Sequence, residues 1–318
     1  MVIFIVGPTA SGKTPLALDL AKRLNGEILS ADSMLVYQGM DIGTAKPSAK
    51  EREQVPHHGI DLIAPSKNFS VFEYHRYALK TIRGIVKRGK IPIVAGGTGF
   101  YVRALLEGLS PLPGAHAALR AKLEREALEK GLPALYGRLL KLDPSRAKAI
   151  GPHNQRRIVR ALEIYLVTGK KPSKPARKSP GLKALGYRPV LIGLNRDRAA
   201  LYETINKRVD KMFRKGLVRE VKLLSRGKFS QTALQGVGYK EVLGSLESGE
   251  ALGSVKNRIK QATRHFAKRQ WTWFKRERGI RWVWWPEGVP VRKAGAFIID
   301  QFLFNMHCPQ NQAARHEI

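Results

Sequence analysis

An eight-residue segment near the start of the chain could bind phosphate. Residues 7–14 read GPTASGKT, which fits the pattern G-x-x-x-x-G-K-[ST], and they directly follow the apolar run 2–6. A strand that leads into such a loop and then into a helix is the context in which the pattern forms a phosphate cradle, typical of nucleotide- and ATP-binding proteins. Backbone N–H groups converge on an anion, Lys13 adds a positive charge, and the Thr14 hydroxyl is placed to hold Mg²⁺. We therefore predict a site for a diphosphate or triphosphate formed by Gly7, Pro8, Thr9, Ala10, Ser11, Gly12, Lys13 and Thr14.

The candidate for acid–base chemistry beside this loop is Asp32. ATPases with this loop usually carry an acid at the end of another strand, which holds Mg²⁺ and polarises water. Here the apolar run 91–95 ends in Gly-Gly-Thr98 without a carboxylate, whereas the run 27–31 ends at Asp32. A carboxylate that faces a phosphate cradle suits a general base for an incoming acceptor. This favours group transfer over hydrolysis, although Asp32 as a simple helix cap is an alternative.

The elements that must position these residues alternate between strands and helices. Apolar runs at 2–6, 27–31, 91–95 and 189–194 predict strands, and helical periodicity appears at 13–24 and 71–88. This order predicts an α/β fold with a parallel, doubly wound sheet. Ligands bind such a sheet at the carboxyl ends of its strands, so the loop, Asp32 and Thr98 are expected on one rim.

The pattern changes after about residue 111. Helices without strands are predicted at 115–130, 133–141 and 153–168, followed by a Pro/Lys-rich tract at 169–180 that is typical of a linker. We therefore predict a first part of the core at 1–111, a helical insertion at 112–184, a second core part with a strand and helices at 185–305, and a frayed tail at 306–318.

The charge balance indicates a large anionic partner. Lys and Arg number 57 against 25 Asp and Glu, a formal net charge of +32. Residues 1–110 carry 14 basic and 9 acidic residues, whereas 141–190 carry 13 and 2, and 256–281 carry 10 and 1. Such clustering away from the phosphate loop is expected of a nucleic-acid surface, although a generally basic proteome is an alternative.

Two predicted helices carry the basic clusters. In the segment 153–168, Arg156 and Arg160 share a face. In the helix predicted at 255–276, Lys256, Lys260, Arg264 and Lys268 form an i, i+4 stripe, with Ile259, Ala262, Phe266 and Trp273 as the expected buried seam. Because like charges at this spacing destabilise a helix, the stripe suggests that a phosphate backbone supplies the counter-charge. The tryptophans at 271, 273, 282, 284 and 285 are expected in the core.

Other features exclude several classes. The single Cys308 excludes an intrachain disulfide framework. The sequence contains no run of eighteen apolar residues, so no membrane span is predicted. The first predicted strand begins at residue 2, which leaves no room for a signal peptide before it. We expect a cytoplasmic, monomeric protein.

Several motifs in a fixed order carry a resemblance to a known family. They are GPTASGKT, SADSMLVYQGMDIGTAKP (30–47), VPHHGIDL (55–62), FSVFEY (69–74), IVAGGTGFY (93–101), HNQRRIVRALE (153–163), INKRVDKM (205–212), QGVGYKE (235–241) and AKRQWTWFK (267–275). Together they resemble the tRNA dimethylallyltransferases, also called tRNA isopentenyltransferases, and the resemblance extends to about residue 285.

The resemblance implies a reaction and roles for residues. Dimethylallyl diphosphate donates its five-carbon group to N6 of the adenosine just 3′ of the tRNA anticodon (position 37) and releases diphosphate, so no ATP is required. The phosphate loop and Arg208 are expected to bind the diphosphate, with Mg²⁺ on Thr14. Asp32 is expected to accept a proton from N6, and Thr98 to orient that amine.

The same resemblance assigns tRNA contacts, which coincide with both basic helices. The expected positions are Asp32, Ser33, Met34, Leu35, Gln155, Arg156, Arg157, Ile158, Val159, Gln235, Gly236, Val237, Gly238, Tyr239, Lys240, Lys268, Arg269, Gln270, Trp271, Thr272, Trp273, Phe274 and Lys275. The insertion is expected to close over the anticodon stem-loop, from which the target base is flipped.

The chain departs from the family pattern in two places. The family commonly has DSMQVYR where this chain has Leu35 for the Gln and Gln38 for the Arg, which bears on anticodon-loop preference. The stretch 169–188 is also unusually basic, which is expected to strengthen non-specific RNA binding.

Three alternatives stay open on the sequence alone. A small-molecule kinase would need ATP but not the basic helices. A prenyltransferase of free adenine nucleotides would make the insertion superfluous. A non-catalytic RNA-binding protein would not need Lys13, Thr14 and Asp32 together.

Overall fold

Parallel strands form the centre of the larger part of the chain. The computed structural model describes residues 1–174, 178–286, 288–304 and 316–317. Within them the strands are β1 (Val2–Val6), β2 (Gly26–Ser30), β3 (His57–His58), β4 (Ile91–Gly96), β5 (Pro189–Asn195), β6 (Ile280–Trp284) and β7 (His316–Glu317). They form one sheet in the order β3-β2-β4-β1-β5-β6-β7, and every pairing is parallel. The predicted α/β fold with a parallel sheet is confirmed.

Helices join the strands and cover both faces of the sheet. They are α1 (Lys13–Arg23), α2 (Ala49–Gln54), α3 (Val71–Lys87), α4 (Gly99–Glu107), α5 (Ala117–Lys130), α6 (Leu132–Leu142), α7 (Pro144–Ile150), α8 (Gln155–Thr168), α9 (Arg198–Arg214), α10 (Leu217–Leu224), α11 (Tyr239–Ser248), α12 (Leu252–Phe274) and α13 (Val291–Ile298). A single 3₁₀ turn at Ala233–Gln235 and a π-helical turn at Ile299–Phe304 complete the described elements.

Strand β1 shows why the sheet is buried on both sides. Its five residues are all buried, and successive side chains point to opposite faces. Ile3 and Ile5 join the cluster under α1 and α13, whereas Phe4 joins the cluster under α3 and α4. Complete burial of such a side chain contributes roughly 1.5–3 kcal/mol, so the centre of the sheet is its most stable part. That rigidity fixes the strand ends from which the site is built.

A third apolar cluster holds the segment after β2 against helices from the second half of the chain. It joins Val36, Tyr37 and Met40 to residues of α9, α10, α11 and α12. The packing brings α9 to the carboxyl end of the sheet, which is where Arg208 is needed.

The chain divides into two compact units. Residues 1–107 and 181–318 make up one, and residues 108–180 make up the other. The second unit contains α5, α6, α7 and α8 around an apolar cluster that includes Leu135, Leu139, Ile158 and Leu162. Its limits lie four residues before those expected for the insertion, 112–184. Part of the expected linker, 175–177, and most of the expected tail lie outside the described residues.

The sequence prediction missed several short elements and one strand of the core. The second core part, 185–305, is predicted to hold one strand, at 189–194, and helices. That prediction is incomplete, because Ile280–Trp284 is a further strand that pairs with β5. It reads IRWVW, a run of β-branched and aromatic residues that packs well on a sheet. Two-residue β3 gave no periodicity to detect, and its pairing with Ile28 and Leu29 is entirely a tertiary effect.

Candidate active site

The phosphate loop has the backbone conformation of an anion cradle. Strand β1 ends at Val6 and α1 begins at Lys13, so the loop lies between them as predicted. Gly12 caps α1 with φ of 99°, a conformation that favours glycine, and no side chain among the described residues caps the first N–H groups of the helix. Ala10 also has a positive φ of 66°, which is uncommon for a residue with a side chain and is found at ligand-binding loops. The free amides and the helix dipole together attract a negatively charged group.

Lys13 points back across the loop. Its Nζ donates to the carbonyl oxygens of Gly7 at 3.0 Å and Pro8 at 2.6 Å. Burial lowers the pKa of Lys13 to about 7, Asp32 opposes this shift and Arg208 adds to it. A bound anion favours the charged form of this amine, which makes Lys13 a natural partner for phosphate oxygens.

Asp32 and Thr98 meet at neighbouring strand ends. Asp32 Oδ1 accepts from the Met34 N–H at 2.9 Å, and no described residue donates to Oδ2. Thr98 Oγ1 accepts from the Ser33 N–H at 3.0 Å, and the Thr98 N–H donates to the Ala31 carbonyl at 3.0 Å. Thr98 therefore fixes the turn that presents Asp32. The helix-cap alternative for Asp32 does not apply, because no helix begins there.

The strand ends are this close because Gly96 has no side chain. A Cβ at this position would lie 2.2 Å from the Ala31 carbonyl oxygen, closer than any real contact.

Arg208 reaches the same place from α9. It is half-buried, and its Nη2 donates to the Thr44 carbonyl at 3.2 Å. Burial lowers the pKa of Arg208, and the negative charge of Asp32 opposes the shift. The charge of Asp32 therefore influences the pKa of both Lys13 and Arg208, so the three side chains interact electrostatically.

The loop beside Arg208 is tied down by polar contacts on two sides. The Glu220 carboxylate accepts from three successive N–H groups, those of Asp41 (3.1 Å), Ile42 (2.7 Å) and Gly43 (3.2 Å). Lys46, from the other side, donates to the Tyr37 carbonyl at 2.9 Å and pairs with Asp41 and Asp61. This loop, 41–47, is therefore held in one shape around the site.

A cavity of about 400 Å³ is lined by Asp32, Arg208 and five residues of the phosphate loop, which are Thr9, Ala10, Gly12, Lys13 and Thr14. Thr98 is not one of the residues that line it. The cavity brings together the phosphate loop, Asp32 and Arg208, as expected from the sequence. Its wall also contains residues that the sequence reasoning did not single out as site residues, namely Thr44, Ala45, Lys46, Pro47, Glu51, Ala95, Gly96, Arg196, Thr204 and Pro15. The motif at 30–47 was a signal for the first four. Arg196 follows a predicted strand, so its place at the rim could have been inferred.

Gln270 joins the phosphate loop to the Thr98 turn. Its Oε1 accepts from the Thr9 N–H at 2.7 Å, and its Nε2 donates to the Gly97 carbonyl at 2.9 Å. The side chain is only 6% exposed. Its polar atoms are therefore used inside the protein, although the residue was expected to contact tRNA.

The other expected tRNA positions differ in exposure. The exposed ones are Gln155, Arg156, Arg157, Gln235, Lys240, Lys268, Arg269, Thr272 and Lys275. Half-buried ones are Ser33, Met34, Leu35, Val237, Trp271 and Trp273, and Leu35 lines the cavity. The side chains of Ile158, Val159, Tyr239 and Phe274 are buried in apolar clusters, so contact of these side chains with RNA is not supported.

Two expectations about the basic helices are wrong in part. The stripe on α12 is not uncompensated, because Asp210 on α9 accepts from Lys260 at 2.9 Å and lies 3.8 Å from Lys256. Arg160 pairs with Glu163 and donates to the Pro113 carbonyl at 2.6 Å, so it stabilises the helical unit itself.

The expected buried seam of α12 needs the same kind of correction. Of the expected residues only Ile259 is fully buried, and Val255, Ala267, Gln270 and Phe274 are the other buried positions of the helix. The tryptophans are mostly half-buried, with Trp285 alone among them fully buried.

The site suits a magnesium ion bound together with phosphate. Thr14, in the first turn of α1, lines the cavity together with Asp32. Mg²⁺ keeps several waters and takes one or two protein oxygens plus substrate phosphates. Across the described ranges no cluster of three His, Cys, Asp or Glu could hold a metal without such help. In the same ranges no helix has the length and apolarity needed to cross a bilayer.

Comparisons with known proteins identify the family of the chain. A family described as IPP transferase matches residues 35–277, and one described as isopentenyl transferase matches residues 1–60. The tRNA dimethylallyltransferase of Halothermothrix orenii is 48% identical over 284 residues, which cover 88% of this chain and 86% of that protein. The enzyme of the same name from Acetivibrio thermocellus is 46% identical over 289 residues, which cover 89% and 91%.

Solved structures give the same result. The tRNA isopentenylpyrophosphate transferase of Bacillus halodurans is 40% identical with a TM-score of 0.68, covering 94% of this chain and 96% of that one. A eukaryotic dimethylallyltransferase that acts on tRNA is 30% identical with a TM-score of 0.75, covering 93% and 75%. With a family match over most of its length and relatives above 40% identity, the chain belongs to the IPP transferase family of tRNA dimethylallyltransferases.

Proposed function

We propose that this enzyme transfers a dimethylallyl group from dimethylallyl diphosphate to N6 of the adenosine immediately 3′ of the tRNA anticodon. One observation carries the proposal: a carboxylate, Asp32, lines the same cavity as the phosphate loop and two half-buried cations, Lys13 and Arg208. A base and a leaving-group site in one cavity are the two requirements of alkyl transfer to an amine.

The chemistry follows from this arrangement. The bond between the allylic carbon and the bridging diphosphate oxygen breaks, and a bond forms between that carbon and N6. The N6 proton passes to Asp32, whose Oδ1 is oriented by the Met34 amide. Thr98 orients the accepting amine next to Asp32, by our proposal. Lys13, Arg208 and the loop amides stabilise the charge that develops on the departing diphosphate.

Mg²⁺ belongs to the same proposal. It would be held by Thr14 and by oxygens of the diphosphate, where it would neutralise part of the charge on the leaving group. The phosphate loop needs no ATP in this reaction, since the anion that it binds is the leaving group.

The tRNA-binding surface is proposed to include exposed basic residues of two helices, α8 and α12. Arg156 and Arg157 on α8 and Lys268 and Arg269 on α12 are exposed and suit phosphate contacts. The helical unit, 108–180, is proposed as an anticodon stem-loop binding domain. We further propose a monomeric enzyme that acts in the cytoplasm, where its tRNA substrate is found.

The direct test is a prenylation assay. Purified enzyme, unmodified tRNA, Mg²⁺ and radiolabelled dimethylallyl diphosphate are incubated without ATP, and the modified nucleoside is identified by mass spectrometry after digestion. We expect one prenyl group on the adenosine next to the anticodon. The absence of a prenylated product without ATP would contradict the proposal. Labelling of free adenosine monophosphate, added as a competing acceptor, in place of tRNA would remove tRNA as the acceptor.

A further inference from the structure

Arg196 lies at a strand end beside the phosphate loop. It directly follows β5, and β5 pairs with β1, the strand that leads into the loop. Its side chain lines the same cavity as Lys13, Asp32 and Arg208. Adjacent parallel strands therefore deliver the phosphate loop and Arg196 to neighbouring positions on one rim.

The guanidinium of Arg196 is held in place by an aromatic ring. Its Cζ lies 5.2 Å from the centre of the Trp285 ring, a cation–π contact. Trp285 is only 3% exposed, and its Nε1 donates to the Val289 carbonyl at 2.9 Å. The ring cannot turn without losing that bond, so it is a fixed platform for the arginine.

That platform directs Arg196 to the first turn of α1. A Cβ built on Gly12 would lie 2.6 Å from Trp285 Cζ3 and 3.5 Å from Arg196 Nη2. A guanidinium nitrogen thus lies next to the loop whose N–H groups form the anion cradle. The neighbouring Asp197 directs its carboxylate to the Ala199 and Ala200 amides at the start of α9.

We propose that Arg196 is a further diphosphate-binding residue, which contacts the leaving group from the β5 side while Arg208 contacts it from α9. The inference rests on the proposed function, because it concerns the same diphosphate. Arginine suits this role since its planar fork binds two phosphate oxygens and stacks on a ring at the same time. Lysine offers the charge without the fork or the stacking surface.

The test measures diphosphate binding and prenyl transfer separately. Wild type, Arg196→Gln, Arg196→Lys and the matched control Arg198→Gln are titrated with inorganic diphosphate and Mg²⁺ by calorimetry. The same proteins are assayed for the KM of dimethylallyl diphosphate, kcat and tRNA affinity. Arg198 is two residues away, exposed, and stacks on Tyr202 at 5.3 Å, so it controls for the loss of a nearby charge.

We expect Arg196→Gln to weaken diphosphate binding about 10- to 100-fold, the range for a hydrogen bond to a charged group, with unchanged tRNA affinity. Arg196→Lys should fall between wild type and Arg196→Gln, and Arg198→Gln should resemble wild type. Unchanged diphosphate binding in both Arg196 variants would overturn the inference. So would a loss confined to tRNA affinity, which would make Arg196 an RNA contact. If wild type binds diphosphate but prenylates no tRNA, the proposed function fails while the binding result still decides the role of Arg196.

Discussion

Asp32 is the residue on which the proposed chemistry depends most directly. Replacing it with Asn keeps the size of the side chain and the bond to the Met34 amide but removes the proton acceptor. We expect kcat for prenyl transfer to fall about 10²–10⁴-fold, the usual contribution of general-base catalysis, with little change in tRNA affinity. Single-turnover assays at saturating tRNA, together with filter binding, separate the two quantities. Full activity in Asp32→Asn would exclude the residue as the base.

The sequence predicts the roles of some site residues but not of others. The types of Lys13, Thr14 and Asp32 follow from a motif with fixed spacing, and the structure brings them to one cavity. Gln270 lies in a segment that resembles an RNA-binding region, and no local pattern indicates that its side chain turns inward. Its two bonds join residues more than 170 positions away in the sequence, so they arise from tertiary packing alone.

At the scale of elements, Gln270 makes α12 a support for both catalytic loops. Gln270→Leu keeps much of the volume but leaves the Thr9 N–H and the Gly97 carbonyl without this partner. We expect a loss of stability of about 1–3 kcal/mol from the unsatisfied groups. We also expect kcat to fall by up to about 10²-fold, because small misplacements of reacting groups are costly.

The readout that distinguishes this role from RNA binding is the split between kcat and tRNA affinity. A positioning residue changes kcat at saturating tRNA, whereas an RNA contact changes the dissociation constant and leaves kcat at saturation intact. Gln261→Leu, the same change at an exposed position on the same helix and outside the expected tRNA contacts, is the matched control. Weakened tRNA binding with normal kcat in Gln270→Leu would return the residue to the RNA surface.

The edge of the sheet depends on a second buried polar group, Glu27 of β2. It accepts from Arg88 Nη2 at 2.7 Å, shares a hydrogen bond of 2.7 Å with His58 on β3, and has Lys90 at 3.4 Å. The hydrogen bond from Arg88 is the largest influence that holds the pKa of Glu27 at about 2. The group is thus charged in the folded protein at any ordinary pH.

A depressed carboxylate pKa stabilises the fold above the pKa of the unfolded chain, near 4.5, and this contribution disappears as the pH falls towards 2. We expect Glu27→Gln to cost about 1–2 kcal/mol at pH 7, since one pKa unit corresponds to about 1.4 kcal/mol and water around the half-exposed Arg88 screens the pair. Urea unfolding between pH 7 and pH 3 should show the two proteins converging. The exposed Glu247→Gln control should show no such convergence, and parallel curves for Glu27→Gln would contradict the assignment.

On the scale of the whole molecule, the alternation of strands and helices was enough to predict the parallel sheet and the rim where the site lies. The sequence also indicated where strands give way to helices. It could not supply β3 or the return of β6 to the sheet, because both are defined by pairing with distant strands. The clusters of basic residues could also be found in the sequence, but the acidic residue that neutralises part of one cluster could not. Asp210 faces Lys256 and Lys260 only after α9 and α12 pack together.

That compensation sharpens the last prediction, which concerns RNA binding by the molecule as a whole. The logarithm of tRNA affinity should fall linearly with the logarithm of salt concentration, because bound cations release counterions from phosphates. Each exposed Lys or Arg that contacts a phosphate contributes roughly 0.7–0.9 to the slope. We expect the double variant Lys268→Gln, Arg269→Gln to lower the slope by about 1.5, because both side chains are exposed. The double variant Lys256→Gln, Lys260→Gln removes the same two charges from the same helix, but at positions already offset by Asp210, so its slope should match wild type. Equal slopes for all three proteins would place the RNA surface away from α12, and an equal reduction in both variants would show that net charge rather than specific contacts governs binding.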